Sequence, residues 1–230
     1  MFDPGIIARV QHWINGKMQR IFAKKNRIKL NNTDFTIISN NCWGGIAYEY
    51  FGLLKQSPTI GGYFFAEDYL RFITHLEDYI NMEIEIISLE ESRHKKEIIN
   101  SGTPNAIIGR LSNDSELQPV EIIFLHYKNK NIVIDKWNRR KERINYNNLI
   151  FKFSFQNGCT KEQLEIFDKL QLSGKKIMFI NKAEDLKNYS CAVYYHGFED
   201  NSQIDNDTFY WNRYFDVIKF INTGVVVPKD

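Results

Sequence analysis

The stretch Phe35-Thr36-Ile37-Ile38-Ser39-Asn40-Asn41-Cys42-Trp43-Gly44-Gly45 decides how the chain is read. A short apolar run reads as a strand, two asparagines end it, and the pattern from Ile46 to Leu54 reads as a helix. A strand feeding directly into a helix opens an α/β unit. The junction places a thiol, Cys42, where helix amides point outward, a setting that favours a thiolate. Asn40 or Asn41 caps the helix by accepting an amide hydrogen bond. Gly44 and Gly45 cost the helix roughly 1 kcal/mol each relative to Ala. Glycines at that cost point to close approach by a ligand or by another backbone segment. The amides of Trp43 to Gly45 are available to hold an oxyanion or a phosphate.

Working outward, the pattern alternates from residue 35 onward. Strands are expected at 35–39, 83–88, 105–110, 120–127, 148–155, 176–181 and 191–197. Helices are expected at 44–55, 66–80, 129–145, 160–171 and 207–222. This interleaving predicts an α/β fold with a mixed, largely parallel sheet flanked by helices. No helix separates 105–110 from 120–127, so these two form a hairpin and make the sheet mixed. Thr160 and Gln163 stand at capping-box spacing after the Asn157-Gly158 turn. Gly174 and Gly224 fall just beyond helix ends, where left-handed caps belong. Residues 35–230 read as a single α/β domain.

Residues 1–34 read as an appendage. Ile6, Ile7, Val10, Trp13, Ile14, Met18, Ile21 and Phe22 recur at three- and four-residue steps, and residues 6–29 hold seven Lys/Arg and no acid. The pattern is a basic amphipathic helix with Gly16 as its weak point. Such a helix packs on the main domain, or it makes peripheral contact with an anionic membrane through residues 6–29.

Composition narrows the function classes. A chain of 230 residues with 43% hydrophobic residues can bury a full core without staples. A formal net charge of +2 gives no electrostatic argument for nucleic acid, which needs clustered basic charge. Cys42, Cys159 and Cys191 are odd in number and widely spaced, so they form neither a disulfide framework nor a zinc pattern. A reducing, cytoplasmic setting follows, with the inner membrane face as the peripheral site. No dinucleotide fingerprint, Walker motif or GxSxG elbow is present, and no cofactor or metal is expected.

A thiol nucleophile needs a base. His126 is the leading candidate because it ends the strand Val120-Glu121-Ile122-Ile123-Phe124-Leu125, where an α/β fold collects its site residues. His196 ends a second strand-like run. His75 reads as a packing residue within a helix, and His12 and His94 read as exposed. The bland alternative for Cys42 is a small buried hydrophobe. A second signal is the helix after His126. Arg140 falls in the centre of the stripe Val133–Trp137–Ile144, flanked by Arg139 and Arg143. An arginine on a packing face is either ion-paired with a sheet carboxylate or recognises an anion. Asp205-Asn206-Asp207 has a metal-holding spacing, and Asp207 equally suits the cap of the last helix. Ser57 to Gly62 reads as a loop opening a helix, with amides placed for a phosphate.

Several motifs carry a family resemblance. Ser39 to Gly45, Ser57-Pro58-Thr59, Gly109-Arg110-Leu111, Phe124-Leu125-His126-Tyr127, residues 136–145, Phe151 to Ser154, Asn157 to Thr160 and residues 214–219 resemble a bacterial family of unknown function labelled exopolysaccharide biosynthesis protein. The resemblance spans residues 35–222. It implies a place in surface-polysaccharide assembly, with no particular reaction. The leading expectation, set beside it, is an enzyme that transfers a group to or from a sugar or sugar-phosphate intermediate. In that reading Cys42 is the nucleophile or a binding residue, and His126 is the base. Asn40, Asn41, Trp43, Gly44, Gly45, Arg139 and Arg140 hold the substrate. A module that only binds a sugar-phosphate or a partner is the alternative from another class. A looser resemblance, Cys42-Trp43 followed by a strand histidine, is to papain-like cysteine peptidases. Their Gln and Cys-Gly-Ser lead-in are absent here, and Asn40 or Asn41 takes the place of the Gln.

Overall fold

The computed structural model describes residues 21–113, 116–208 and 211–229. Its organising strand is β6 (Leu149–Ser154), buried along its whole length as a central parallel strand with both faces covered must be. β1 (Thr36–Ser39) pairs with β6 on one side. β7 (Gly174–Ile180) pairs on the other, followed by β8 (Ala192–Tyr194), and all three pairings are parallel. One face of this sheet packs Ile38, Phe151, Phe153, Met178 and Ile180 against α3 (Ala66–Thr74), α6 (Lys130–Lys141) and α7 (Lys161–Lys169). The other face packs Ile37, Ile150, Ile177, Phe179 and Val193 against α2 (Trp43–Phe51) and α8 (Val217–Thr223). The outer edge of β1 is closed by a side chain. Tyr48 Oη accepts from the Ile37 N–H at 3.0 Å and donates to Phe35 O at 2.9 Å.

The remaining strands form a second, antiparallel sheet in the order β2 (Gly62–Tyr63), β5 (Val120–Phe124), β4 (Ile107–Leu111), β3 (Ile84–Ile87). The expected hairpin is present as β4–β5, with Ile107 opposite Phe124 and Leu111 opposite Val120. The two sheets touch at a seam, where the Phe64 N–H donates to Asn40 O at 3.0 Å. On the antiparallel side, Gly61 O accepts from the N–H groups of Leu125 (3.0 Å) and His126 (3.3 Å). The α/β fold is therefore realised as a parallel four-stranded sheet flanked by helices and a separate antiparallel four-stranded sheet, which meet beside Cys42.

Local chemistry explains most boundaries. Thr160 and Gln163 form the expected capping box at the start of α7, and Gly224 ends α8 in the left-handed conformation. Gly174 instead begins β7. A Cβ there would lie 2.6 Å from Leu149 O, so the glycine serves the close approach of neighbouring strands. The helix expected over 66–80 breaks at His75 (φ −124°, ψ 46°) into α3 and α4 (Leu76–Asn81), leaving His75 exposed rather than packed. The helix expected over 207–222 is shorter, because Asp216 caps it and accepts from the Lys219 N–H at 3.0 Å. The short β2 and α5 (Lys95–Asn100) carry too few residues to show a period.

Of the N-terminal appendage, residues 1–20, with His12 and most of the amphipathic pattern, lie outside the described residues. Residues 21–27 are helical (α1) and rest on the domain through Asn26 Nδ2 to Tyr50 O (3.4 Å) and Arg27 Nη1 to Gly52 O (3.0 Å). Among the described residues, no helix is long and apolar enough to cross a membrane.

Candidate active site

Cys42 sits at the N-terminus of α2 on the parallel sheet, and His126 lies two residues beyond β5 on the antiparallel sheet. The seam brings them together, with Cys42 Sγ 3.3 Å from His126 Nε2. This is within hydrogen-bond reach for a sulfur, the approach a thiol–imidazole pair requires. The other histidines are elsewhere. His196 is exposed and lies over Tyr194 and Tyr214. His94, expected to be exposed, is largely covered. It stacks on Phe65 and bonds Asp68 Oδ2 at 2.8 Å, within a buried polar cluster that includes Glu121 and Arg110.

Neither asparagine is the N-cap, a position Cys42 takes without a side-chain cap bond; Asn41, one residue earlier, forms an Asx turn in which its Oδ1 accepts from the Trp43 N–H, the first amide of α2, at 3.1 Å. The same side chain is the hub of a buried network. Asn41 Oδ1 also accepts from Lys152 Nζ at 3.0 Å, while its Nδ2 donates to Gln156 Oε1 (2.6 Å) and Asp207 Oδ1 (2.9 Å). Lys152 and Asp207 are both fully buried and form an ion pair. Burial pulls the lysine's pKa down, and the Asp207 carboxylate opposes that. Lys152, the one charge in the otherwise apolar β6, is the visible signal that sequence reading passed over. Asp207 is spent on this pair, so it neither caps α8 nor makes a metal site with Asp205. Among the described residues no group of acidic, His or Cys side chains is arranged for a metal.

Two expectations about the thiol change. Cys42 is not held as a thiolate. Burial, reinforced by the Asp207 carboxylate, pushes its pKa up to about 11, against the opposing charges of Lys152 and Lys55. The oxyanion donors are also fewer than expected, since Trp43 N–H is taken by Asn41 and Gly45 N–H by Cys42 O at 3.1 Å. Of the three amides, Gly44 is the one left. The glycines answer to close packing against side chains. A Cβ on Gly44 would meet Ile37 Cγ2 at 3.1 Å, and one on Gly45 would meet Ile60 Cγ2 at 3.0 Å. Trp43 is a core side chain, edge-on to Phe179 and Trp211, and does not line a cleft. Asn40 is likewise structural, donating to Ser154 O at 3.3 Å.

Two clefts flank the dyad, and both are lined by Cys42, Ile46 and His126. The first, about 360 Å³, is basic, with Lys55, Lys136, Arg140 and, among the described residues, a single acid, Glu49. Arg140 is only 7% exposed, and its Nη1 donates to Ile60 O (3.1 Å) and Tyr127 Oη (2.8 Å). Among the described residues no carboxylate ion-pairs with it. The sequence left a buried ion pair and anion recognition open for Arg140; the geometry leaves its charge for an anion. Lys136 lies 4.6 Å over the Tyr127 ring, its pKa lowered by burial and by the neighbouring cations, Arg140 first. Arg139 is exposed and does not line this cleft, being one helical step from the buried stripe. The Ser57–Gly62 loop contributes carbonyls instead of amides. Ile60 O takes Arg140 and Tyr127, and Gly61 O holds the His126 strand end. The second cleft, about 620 Å³, is lined by Asn41, Gln156, Asn157, Gln203, Asn206 and hydroxyls including Tyr63 and Thr208.

Two measurements check this description. Lys152→Met strands Asp207 in the core and should cost roughly 3–5 kcal/mol in urea unfolding, while Lys152→Met with Asp207→Asn should recover part of that loss. Equal losses would show that the pair is not coupled. For Cys42, a thiol pKa near 11 means that the thiolate fraction still rises about tenfold per pH unit between pH 7 and 10. Iodoacetamide labelling of Cys42 should climb through that range with no plateau, and Cys159 and Cys191, both buried, should label more slowly. A plateau near neutral pH would reveal a thiolate–imidazolium pair instead.

Comparison with known proteins places the chain. An uncharacterized protein of Haemophilus influenzae is 26% identical over 211 residues, covering 89% of this chain and 91% of the relative. The sequence model described as domain of unknown function (DUF1919) matches residues 14–222, which includes both sheets, Cys42 and His126. The chain therefore belongs to the DUF1919 family.

Proposed function

We propose that the Cys42–His126 pair is the centre of an acyl-transfer enzyme acting on a sugar intermediate of surface-polysaccharide assembly. The observation that carries this reading is the 3.3 Å contact between a thiol at a helix N-terminus and a histidine from the opposing sheet, open to two clefts. A thiol is a strong nucleophile towards carbonyl carbon and forms a covalent intermediate that splits one hard step into two. With Cys42 resting as a thiol, His126 acts as general base, taking the proton as sulfur attacks. The polysaccharide context rests on the motif resemblance, including Phe124-Leu125-His126-Tyr127 and Asn157 to Thr160. A second, roomy polar cleft beside the thiol favours an organic acceptor over water, and so transfer over peptide hydrolysis.

The test uses the full chain and a simple acyl thioester, with the Cys42 adduct followed by peptide mass spectrometry. An adduct on Cys42 is expected, and His126→Ala should slow its formation by roughly 10²–10⁴-fold. Absence of an adduct, or equal modification of Cys159 and Cys191, would leave a binding module as the reading.

Membrane contact through residues 6–29 is part of the same proposal. Its support among the described residues is that Ile21, Phe22 and Ile28 are exposed by half or more, beside Lys24, Lys25, Arg27 and Lys29. Each basic residue near an anionic surface is worth about 1 kcal/mol. Co-sedimentation with anionic vesicles should be strong for the full chain and lost for a chain beginning at Asn32. Equal binding by both would remove the membrane role.

A further inference from the structure

The two clefts beside Cys42 differ in charge as well as in position. The Arg140 side carries three cations against one carboxylate, and that carboxylate, Glu49, is already paired with Lys55 at 2.6 Å. Arg140 is buried, fixed by Ile60 O and Tyr127 Oη, and has no counter-charge among the described residues. Holding an unpaired guanidinium in a covered site is costly unless a ligand supplies the anion. A planar fork beside a flexible ammonium suits the several oxygens of a phosphate or diphosphate.

The opposite side is built for something else. Among the described residues its lining includes no lysine or arginine. It offers amides and hydroxyls, which can both donate and accept, as a polyol requires. Of its two acids, Asp207 is offset from inside the core by Lys152, and Asp205, which accepts from the neutral Asn201 Nδ2 at 2.9 Å, keeps a charge that disfavours an anion. Both clefts fall within the size range of small-ligand sites. Cys42 and His126 line both clefts, so one sulfur is shared between them.

We infer that these clefts are separate subsites of a two-step transfer: the basic one takes the phosphate-bearing leaving group of an acyl donor, and the amide-lined one takes a polyhydroxylated acceptor. This rests on the proposed acyl-transfer reading and assigns its substrates. In the first step His126 removes the thiol proton as Sγ attacks the acyl carbon. The S–C bond forms, the bond from carbon to the leaving heteroatom breaks, and His126 returns the proton to that heteroatom. In the second step His126 takes the proton of an acceptor hydroxyl, its oxygen attacks the S-acyl carbon, and the C–S bond breaks. The departing sulfur recovers the proton from His126. Atoms and charge balance without a further co-reactant.

The experiment is protection of Cys42 from iodoacetamide in the full chain at constant ionic strength, with inorganic pyrophosphate, acetate and glucose as probes. Pyrophosphate should protect and acetate should not. Lys136→Met removes a partly buried ammonium at the cleft and should raise the half-protecting concentration roughly tenfold or more. Arg139→Met, with the same charge change on the same helix but outside the cleft, should move it by less than about twofold. A nucleoside diphosphate and a phosphorylated pantetheine chain form two further arms, and the tighter protector identifies the donor's leaving group. Glucose binding followed by saturation-transfer NMR should persist in saturating pyrophosphate. Protection that acetate matches, protection that survives Lys136→Met, or displacement of glucose by pyrophosphate would overturn the assignment. Pyrophosphate protection without any thioester adduct on Cys42 would retain the anion subsite and sink the transfer reading. An adduct without phosphate protection would do the reverse.

Discussion

Everything at the site depends on the seam between the two sheets. Cys42 hangs from the end of β1 and His126 from the end of β5, so no single element holds both. Their separation is set by backbone hydrogen bonds, Phe64 to Asn40 on one side and Leu125 and His126 to Gly61 on the other. Gly61 makes this joint possible. It has φ +94°, and a Cβ would meet Tyr127 Oη at 2.7 Å, so a side chain there would displace the tyrosine that also supports Arg140. The position of the base and the support of the anion-binding arginine thus share one loop.

Behind the seam, the buried Lys152–Asp207 pair plays a second organising role. Burying two charges rarely adds net stability, because desolvation offsets the attraction. What the pair supplies here is orientation. Lys152 and Asp207 grip the two ends of the Asn41 amide, and Asn41 holds the first amide of the helix that follows Cys42. The same pair affects the thiol in opposite directions, Asp207 raising its pKa and Lys152 lowering it. A nucleophile kept as a thiol at rest resists adventitious oxidation and alkylation, and it is deprotonated only when a base is in reach. The 3.3 Å approach of His126 supplies that base.

The cation cleft shows how position along a helix becomes function. On α6, Val133, Trp137 and Arg140 share the buried face, while Arg139 points to solvent. Two adjacent arginines with the same chemistry therefore differ entirely in role. One turn earlier Lys136 stands beside the buried stripe, close enough to Arg140 for the second cation to depress its pKa. Local spacing sets that arrangement; what the cluster faces is set by the Ser57–Gly62 loop brought in from far along the chain.

Some of this was legible in the amino-acid sequence. The strand–asparagine–cysteine–helix junction, the alternating elements, the β4–β5 hairpin, the Thr160 box and the buried phase of Arg140 all follow from local periodicity and capping, which act within a few residues. Other features were not. Which residue takes the N-cap of α2, which amides remain free, why Gly44 and Gly45 are glycines, and whether Cys42 rests as a thiol all depend on atoms distant in sequence: Lys152, Asp207, Ile37 and Ile60. The charge difference between the two clefts arises only when residues 41–61, 126–140 and 156–208 meet. Propensity and spacing specify elements and faces because those interactions are local. Desolvation, ion pairing and cavity shape belong to the tertiary structure because they depend on what surrounds each group on every side.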